Sequence, residues 1–231
     1  MYYSENQTQQ SSISSFMYKV YGWMSVGLAL TAAVSYYLAA TPGFVETLVT
    51  HSWIFFAIII FQLALVIGLS FLINRMNYAT ALGCFLVYAA SVGLTLAPIF
   101  LVYTTGSIYL TFLSTAGMFG VMCLYGYFTR SDLTTVGNIS IMALIGIIIA
   151  SLINMFLKSP MMDYVISGIG VLVFTVLTAY DSQKIKHMAR GLMADEQTRS
   201  KIAVLGALTM YLDFINLFLY LLRFMGNKKS E

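Results

Sequence analysis

The stretch AVLGALTMYLDFINLFLYLLRF, residues 203–224, is an apolar run of membrane-spanning length with one acid near its centre. A helix that crosses a bilayer needs about 20 mostly apolar residues, whereas a transmembrane strand reads as about 10 residues of alternating polarity. The rest of the chain agrees: 59% of its 231 residues are hydrophobic and 9% are charged. A water-soluble domain carries roughly 25% charged residues. The sequence therefore predicts an all-α integral membrane protein.

Seven such runs are present, and a helix satisfies their backbone N–H and C=O groups inside lipid. Residues 1–17 are rich in Ser and Gln, which predicts a polar, mobile tail. Residues 18–227 are predicted to form a single transmembrane domain, and residues 228–231 a short basic tail. The predicted spans are Tyr21–Ala40, Ser52–Ile73, Tyr78–Val102, Gly106–Phe128, Thr134–Leu157, Met161–Ser182 and Ile202–Phe224.

The distribution of Lys and Arg predicts a cytoplasmic amino terminus, because cytoplasmic loops carry an excess of these residues. With seven spans, eight of the twelve Lys and Arg residues lie on the cytoplasmic side and four on the other. A re-entrant last segment would make the ratio eleven to one. Since the first helix usually dominates orientation, seven full spans are predicted, and the side of the carboxyl terminus stays open.

Small residues recur at four-residue intervals on two predicted helices. Ala89, Gly93 and Ala97 lie on the third span, and Gly146 and Ala150 on the fifth. Small residues at this spacing let helix backbones approach closely. Both sets are therefore predicted to lie in helix–helix contacts.

Sequence signatures of catalysis are missing from the chain. There is no glycine-rich phosphate loop, no HExxH and no Cys-pair metal motif. Two intramembrane aspartates could also serve an aspartyl protease, but the sequences TAYDSQ and YLDFIN lack the Gly-x-Gly-Asp element usual in those enzymes. The protein is therefore predicted not to be an enzyme and to need no cofactor.

Asp213 is the acid that apolar packing does not explain. It lies twelve residues after Lys201 and ten before Arg223, which places it near the middle of the bilayer. An ionisable group at that depth costs roughly 2.5–3.5 kcal/mol on insertion scales. Asn216, three residues later, falls on the same face of the helix. We expect this polar face to point into the bundle.

Asp181 closes the sixth apolar run, three residues before Lys184. Alone it could be an interfacial acid paired with Lys184 or solvated by water. If the sixth helix continues to about Arg190, however, Asp181 and Asp213 lie at similar depth on antiparallel neighbours. Two carboxylates in contact at low dielectric cannot both ionise cheaply, so they would share a proton and titrate as a coupled pair.

Four stretches closely resemble the bacterial branch of the Bax inhibitor (transmembrane Bax-inhibitor-motif) family: GLTLAPIFLVYT, TAGMFGVMCLYGYFTRSDL, LTAYDSQKIK and LGALTMYLDFINLFLYLLRFMGN. The resemblance implies seven transmembrane helices, with the last enclosed by the other six. It also implies a pH-sensitive calcium leak governed by two aspartates, which match Asp181 and Asp213. Some members of the family are instead described as modulators of a membrane-bound ATP-dependent protease.

Two departures from the family pattern concern the second helix. Relatives that leak calcium carry a basic cluster at its end, where an arginine can latch an aspartate. Here the sequence FLINRMNY leaves Arg75 as the candidate for that counter-charge, and Gln62 stands where some relatives carry a glutamate.

The first predicted function is a pH-gated leak for cations, calcium in particular, across the cell (inner or plasma) membrane. Ca²⁺ takes six to eight oxygen ligands, and Asp181, Asp213, Asn216 and nearby carbonyls would supply about four or five. Such a site is weak and transient, as a leak requires, because the ion must also leave. The alternatives are an interaction protein that modulates an ATP-dependent membrane protease, through the polar tail, and a proton-coupled transporter. The predicted partners are thus the lipid bilayer, calcium, protons and such a protease, and no nucleic acid.

Overall fold

The computed structural model describes residues 2–191 and 196–229, and its regular structure there is helical. A short 3₁₀ turn, Ile73–Arg75, follows the third helix. The nine helices of this part of the chain are α1 Tyr2–Ala39, α2 Phe44–Thr50, α3 Ser52–Leu72, α4 Tyr78–Leu96, α5 Ile99–Val102, α6 Thr105–Phe128, α7 Thr134–Leu157, α8 Pro160–Gly191 and α9 Glu196–Met225.

Seven helical segments of the described chain are long and apolar enough to cross a membrane. They contain α1, α3, α4 with α5, α6, α7, α8 and α9, so the predicted all-α, seven-span fold is confirmed. Large apolar side chains remain exposed on these helices, as a lipid-facing surface requires. Examples are Phe71, Phe156, Tyr37, Met142 and Leu172.

The third predicted span is two helices rather than one. Helix α4 ends at Leu96 and α5 begins at Ile99, with Ala97 and Pro98 in a turn between them. Ala97 keeps helical dihedral angles, but Pro98 has no N–H with which to continue the hydrogen bonds of α4. The break therefore follows from Pro98.

Helix α1 extends through the segment that was predicted to be a separate polar tail. It begins at Tyr2, and Ile13, Phe16, Met17 and Val20 are all buried. Their spacing of three and four residues is that of one apolar helix face. Residues 11–17 therefore belong to the folded part of the molecule, and the boundary predicted at residue 17 is wrong.

The carboxyl-terminal segment packs on the start of α6. The backbone N–H of Asn227 donates to Ser107 Oγ at 2.9 Å, and the N–H of Thr104 donates to Asn227 O at 3.1 Å. Lys228 pairs with Tyr103 in an isolated β-bridge. The predicted basic tail thus begins in an ordered contact, and its last residues, Ser230 and Glu231, lie outside the described residues.

The predicted single domain divides into two compact units, which share the helices α8 and α9 between them. Unit 1 comprises Met1–Val102 and Met188–Tyr211, and unit 2 comprises Tyr103–His187 and Leu212–Glu231. In unit 1, α1 packs against α4 where Gly93 leaves no room for a Cβ beside Thr31 O and Val34. Ala89 and Ala97 of the same face are fully buried. The packing prediction for this face is confirmed.

The second set of small residues behaves differently. A Cβ placed on Gly146 of α7 would meet nothing within 4 Å in the described chain. Close packing in unit 2 occurs instead at Gly126 of α6, where an added Cβ would collide with the carbonyl of Ala179 in α8. The prediction that Gly146 lies in a close helix contact is therefore wrong.

Helix α9 is the most buried of the seven spans, with 61% of an apolar 18-residue stretch inside the protein. Its first half contacts the helices of unit 1, and its second half contacts those of unit 2. These contacts, each within one unit, include Arg199 with Ser12, Lys201 with Asn74, Tyr211 with Phe85, Phe214 with Phe119, Tyr220 with Ser151 and Tyr220 with Phe174. The predicted enclosure of the last helix by the other six agrees with these contacts.

Candidate functional site

Asp181 of α8 and Asp213 of α9 meet inside unit 2. Their side chains are hydrogen-bonded to each other. The exposed fractions are 9% for Asp181 and 5% for Asp213. The two acids singled out by the sequence are therefore neighbours in a buried place.

A hydrogen bond between two carboxyl groups requires a proton, because an ionised carboxylate only accepts. Oδ2 of Asp213 is buried and accepts no hydrogen bond from any N–H or hydroxyl group in the described chain. The positive charge of Lys184, one turn after Asp181 on α8, lies near the Asp181 carboxyl group. The Lys184 ammonium also lies 5.6 Å from the centroid of the Tyr180 ring. Two buried carboxyl groups in this contact can share one proton.

Helix α8 runs from Pro160 to Gly191, which confirms the prediction that it continues past Lys184 to about Arg190. Helix α9 begins at Glu196, earlier than predicted. Asp181 therefore lies 10 residues before the end of α8, while Asp213 lies 17 residues after the start of α9. The prediction of similar depth rested on distances of nine and twelve residues from the helix ends; the observed distances differ more, yet the two carboxyl groups meet.

The segment of α8 around Asp181 is anchored to α6 and to the loop after it. Ser182 Oγ donates to Cys123 O at 2.9 Å. Gln183 Nε2 donates to Ser131 O at 2.8 Å, and its Oε1 accepts from the Leu133 N–H at 2.9 Å. These bonds fix the height and rotation of α8 beside its aspartate.

A further anchor lies one turn later on α8. Lys186 Nζ donates to Tyr127 O and lies 4.9 Å from the centroid of the Tyr127 ring. Sequence reasoning did not identify Ser182, Gln183 or Lys186 as part of the site. The available signal was the run of polar residues that directly follows Asp181.

The residue after Asp213 fixes the position of α9 in unit 2. The ring of Phe214 packs edge-on against Phe119 and Phe112 of α6, with centroids 5.3 and 5.5 Å away. Asp213 itself is buried, and a buried place solvates an ionised carboxylate poorly. An ionised Asp213 would therefore be unstable unless water or a cation reached it.

The two supporting residues predicted from the sequence do not join the pair. Asn216 Nδ2 donates to Leu212 O of its own helix at 2.8 Å, so the amide satisfies a local carbonyl. Arg75 belongs to unit 1, where it ends the 3₁₀ turn, is exposed and forms no ion pair or hydrogen bond among the described residues. A latch between Arg75 and an aspartate stays a prediction.

The donor set at the pair is small for a metal site. Across residues 2–191 and 196–229, no three side chains of His, Cys, Asp or Glu come close enough together to hold one ion. Two carboxyl groups and neighbouring carbonyls fall short of the six to eight oxygens that Ca²⁺ prefers. A cation at this place would be held weakly.

A second buried polar contact, in unit 1, was also missed by sequence reasoning. Tyr211, two residues before Asp213, has its hydroxyl 2.6 Å from Thr31 Oγ1. The Thr31 proton has carbonyl acceptors at Gly27 and Ala89, so we assign Tyr211 as the donor in this pair. The contact ties α9 to α1 close to its aspartate.

Comparison with known proteins identifies relatives of almost the full length of the chain. The family described as Inhibitor of apoptosis-promoting Bax1 matches residues 13–230. Inner membrane protein YbhL of Escherichia coli (strain K12) is 49% identical over 221 residues, which cover 95% of this chain and 94% of that protein. A Borreliella burgdorferi protein is 45% identical over 216 residues, covering 94% of this chain and 93% of that protein.

These matches agree with a multi-pass protein of the inner membrane, the predicted localisation. A third relative, protein RP147 of Rickettsia prowazekii, is 41% identical over 229 residues, covering 98% of this chain and 95% of its own length. The resemblance seen in the YLDFIN and AYDSQ motifs is thereby confirmed. The chain belongs to the Bax inhibitor family.

Proposed function

We propose that the protein is a pH-sensitive leak for cations, calcium being the transported ion, and that Asp181 and Asp213 form its sensor and gate. The observation that carries this proposal is the hydrogen-bonded carboxyl pair, buried on two helices long and apolar enough to span a membrane. A packed apolar bundle gains no stability from such a pair, so its presence suggests a role in transport. The proposal includes no enzymatic step and no resident cofactor.

The pair can act as a switch through its charge. With a shared proton, the hydrogen bond holds α8 and α9 together in unit 2. When the proton leaves, two negative charges repel each other in a poorly solvated place. Separation of the helices, entry of water or binding of a cation relieves that repulsion, and a leak uses all three.

The anchors on α8 indicate which partner moves. Ser182 and Gln183 hold the Asp181 segment against α6 and its loop. We therefore expect the response to ionisation on the side of Asp213, as a shift of α9 or as water entry beside it. The weak donor set would let Ca²⁺ pass without being retained.

Calcium flux into liposomes at several pH values, with wild type and Asp213→Asn, tests the proposal. Asparagine keeps the shape and hydrogen bonding but removes the titrating group, so the pH dependence should flatten. If Asp213→Asn kept the wild-type profile, the switch would lie elsewhere.

Asp132→Asn is the matched control for this experiment. Asp132 lies in the loop before α7, where the hydroxyl and N–H of Thr134 donate to its Oδ1 at 2.6 and 2.9 Å. These hydrogen bonds hold the pKa of Asp132 below its ordinary value. The hydrogen-bonded Asp132 carboxylate therefore stabilises the folded protein fully above the ordinary pKa of an aspartate. This stabilisation is lost only as the pH falls through the lowered pKa of the folded state. Around neutral pH Asp132 does not titrate, so Asp132→Asn should leave the profile unchanged.

The second candidate is a modulator of an ATP-dependent membrane protease that acts through the amino-terminal segment. One observation bears on how to test it: Ile13 and Phe16 are buried, and Arg199 donates to Ser12 O at 2.9 Å, all in unit 1. Removal of residues 1–17 would thus disturb the fold itself. A deletion restricted to residues 2–10 is the cleaner test, because a leak should survive it and a tail-mediated modulator should not.

A further inference from the structure

A cavity of about 330 Å³ opens in unit 2 at the helix ends remote from the aspartate pair. Helix α7 contributes most of its wall, and α8 and α9 contribute one charged residue each. Its lining residues are Ser151, Asn154, Met155, Lys158, Asp163 and Arg223. The proposed leak makes no use of this cavity.

The charges in the cavity do not cancel. Arg223 Nη1 lies 3.5 Å from Asp163 Oδ1, and both side chains are 45% exposed. Lys158 is exposed and has no carboxylate partner among the described residues. One positive charge is therefore left after Asp163 and Arg223 are paired, which favours an anion over a cation.

Asn154 adds hydrogen-bond donors to this charge. Its side chain is buried, at 9% exposure, and its Oδ1 accepts from the Ser159 N–H at 3.1 Å. That bond fixes which end of the amide is oxygen. Among the described residues its N–H₂ group has no acceptor, so it offers two donors to a ligand in the cavity.

The cavity lies at the ends of spanning helices, the level at which we expect lipid headgroups. It is formed where α7 ends, α8 begins and α9 ends. Beside it, Tyr164 stacks on Phe224 with centroids 4.6 Å apart, and Tyr220 lies under Arg223. Aromatic residues are enriched at the membrane–water interface. A ligand with several oxygen acceptors and a negative charge at this level is a lipid phosphate.

We propose that this cavity is a phosphate-binding site that takes the headgroup phosphate of an anionic membrane lipid. Asn154 and Lys158 supply the donors that face the phosphate, and Arg223 adds charge while it stays paired with Asp163. The carboxylate of Asp163 faces the same cavity, so the anion is expected on the Lys158 side. The site does not depend on whether the protein leaks calcium.

Native mass spectrometry of the full chain in nanodiscs tests the proposal. Three preparations are compared: phosphatidylglycerol mixed with phosphatidylcholine, phosphatidylcholine alone, and phosphatidylcholine with added inorganic phosphate. Lys158→Gln removes the exposed positive charge. Asn154→Asp keeps the oxygen that caps Ser159 but replaces the N–H₂ donors with an oxygen. Lys228→Gln removes an equal charge near the same helix ends but outside the cavity.

We expect phosphatidylglycerol to remain bound to the wild type, and occupancy to fall about fivefold in Lys158→Gln, the effect of one basic residue near an anionic surface. Asn154→Asp should lower it at least as much, while Lys228→Gln should match the wild type. The wild type could instead bind inorganic phosphate, and Lys158→Gln could abolish that binding. This result would support the phosphate site and assign it to a soluble ligand. Equal retention by all variants, or equal loss in Lys228→Gln, would overturn the proposal.

Discussion

The hydrogen bond between Asp181 and Asp213 makes the protonation of each carboxyl group depend on the other. Removing either partner therefore removes the switch proposed above. We expect Asp181→Asn and Asp213→Asn each to flatten the pH dependence of calcium flux. The double variant should add little to either single change, because coupled residues are not additive.

The measurement is the same liposome assay, taken as a double-mutant cycle over the pH range. Two single variants whose effects add fully would show that the aspartates act independently. That result would contradict the shared proton and leave each acid with its own role.

The two acids could be identified from the sequence, but the hydrogen bonds that hold the Asp181 segment of α8 in place could not. Asp213 stood out because an acid in a long apolar run is costly. Gln183 did not stand out, since a polar residue near a helix end is ordinary. Its two bonds to the loop before α7 join residues about 50 positions apart, and one sequence gives no means of seeing such a pair.

Gln183 also gives a prediction that concerns a single amide. Gln183→Met keeps the length of the side chain and removes the acceptor for the Leu133 N–H. Since a hydrogen bond of this kind contributes about 1 kcal/mol, exchange of the Leu133 amide hydrogen should accelerate about fivefold. The amide of Thr134, which donates to Asp132 Oδ1, is the internal control. Unchanged exchange at Leu133 would contradict the anchoring role of Gln183.

Among the helices, the closest approach that bears on the site is between α6 and α8. Gly126 faces the backbone of Ala179, two residues before Asp181, and an added Cβ would collide with it. Gly126→Ala should therefore lower the stability of the protein by about 1–3 kcal/mol, the usual cost of overpacking. Thermal unfolding in detergent measures this effect.

Gly120→Ala is the matched control on the same helix. A Cβ there meets nothing within 4 Å in the described chain, so alanine should be neutral or slightly stabilising. If both substitutions destabilised equally, general helix effects would account for the loss, and the close α6–α8 contact would not.

The helices themselves were largely predictable, and the failures have identifiable causes. Apolar length located all seven spans, because lipid requires it. The extension of α1 was missed since the Ser- and Gln-rich composition of residues 1–17 outweighed the spacing of Ile13, Phe16 and Met17. Gly146 was misassigned because the four-residue spacing of small residues says nothing about which face of a helix meets a neighbour.

At the scale of the whole molecule, α9 is one of the two helices, with α8, that both compact units share. Its Tyr211 belongs to unit 1, where it bonds Thr31, and its Asp213 belongs to unit 2, where it bonds Asp181. The two residues are nearly opposite on the helix, since two positions turn it by about 200°. A rotation or shift of α9 would therefore strain both bonds.

The topology of α9 gives the last prediction. Helix α9 is continuous over 30 residues, or about 45 Å, and has no break at which a re-entrant segment could turn back. A reporter fused after Glu231 should thus be found on the side of the membrane opposite to the amino terminus. A reporter inserted at Ser131, in the exposed loop between α6 and α7, is the internal control and should lie on the amino-terminal side. Finding both termini on one side would contradict seven full spans, and it would favour the arrangement in which eleven of the twelve basic residues share the cytoplasmic face.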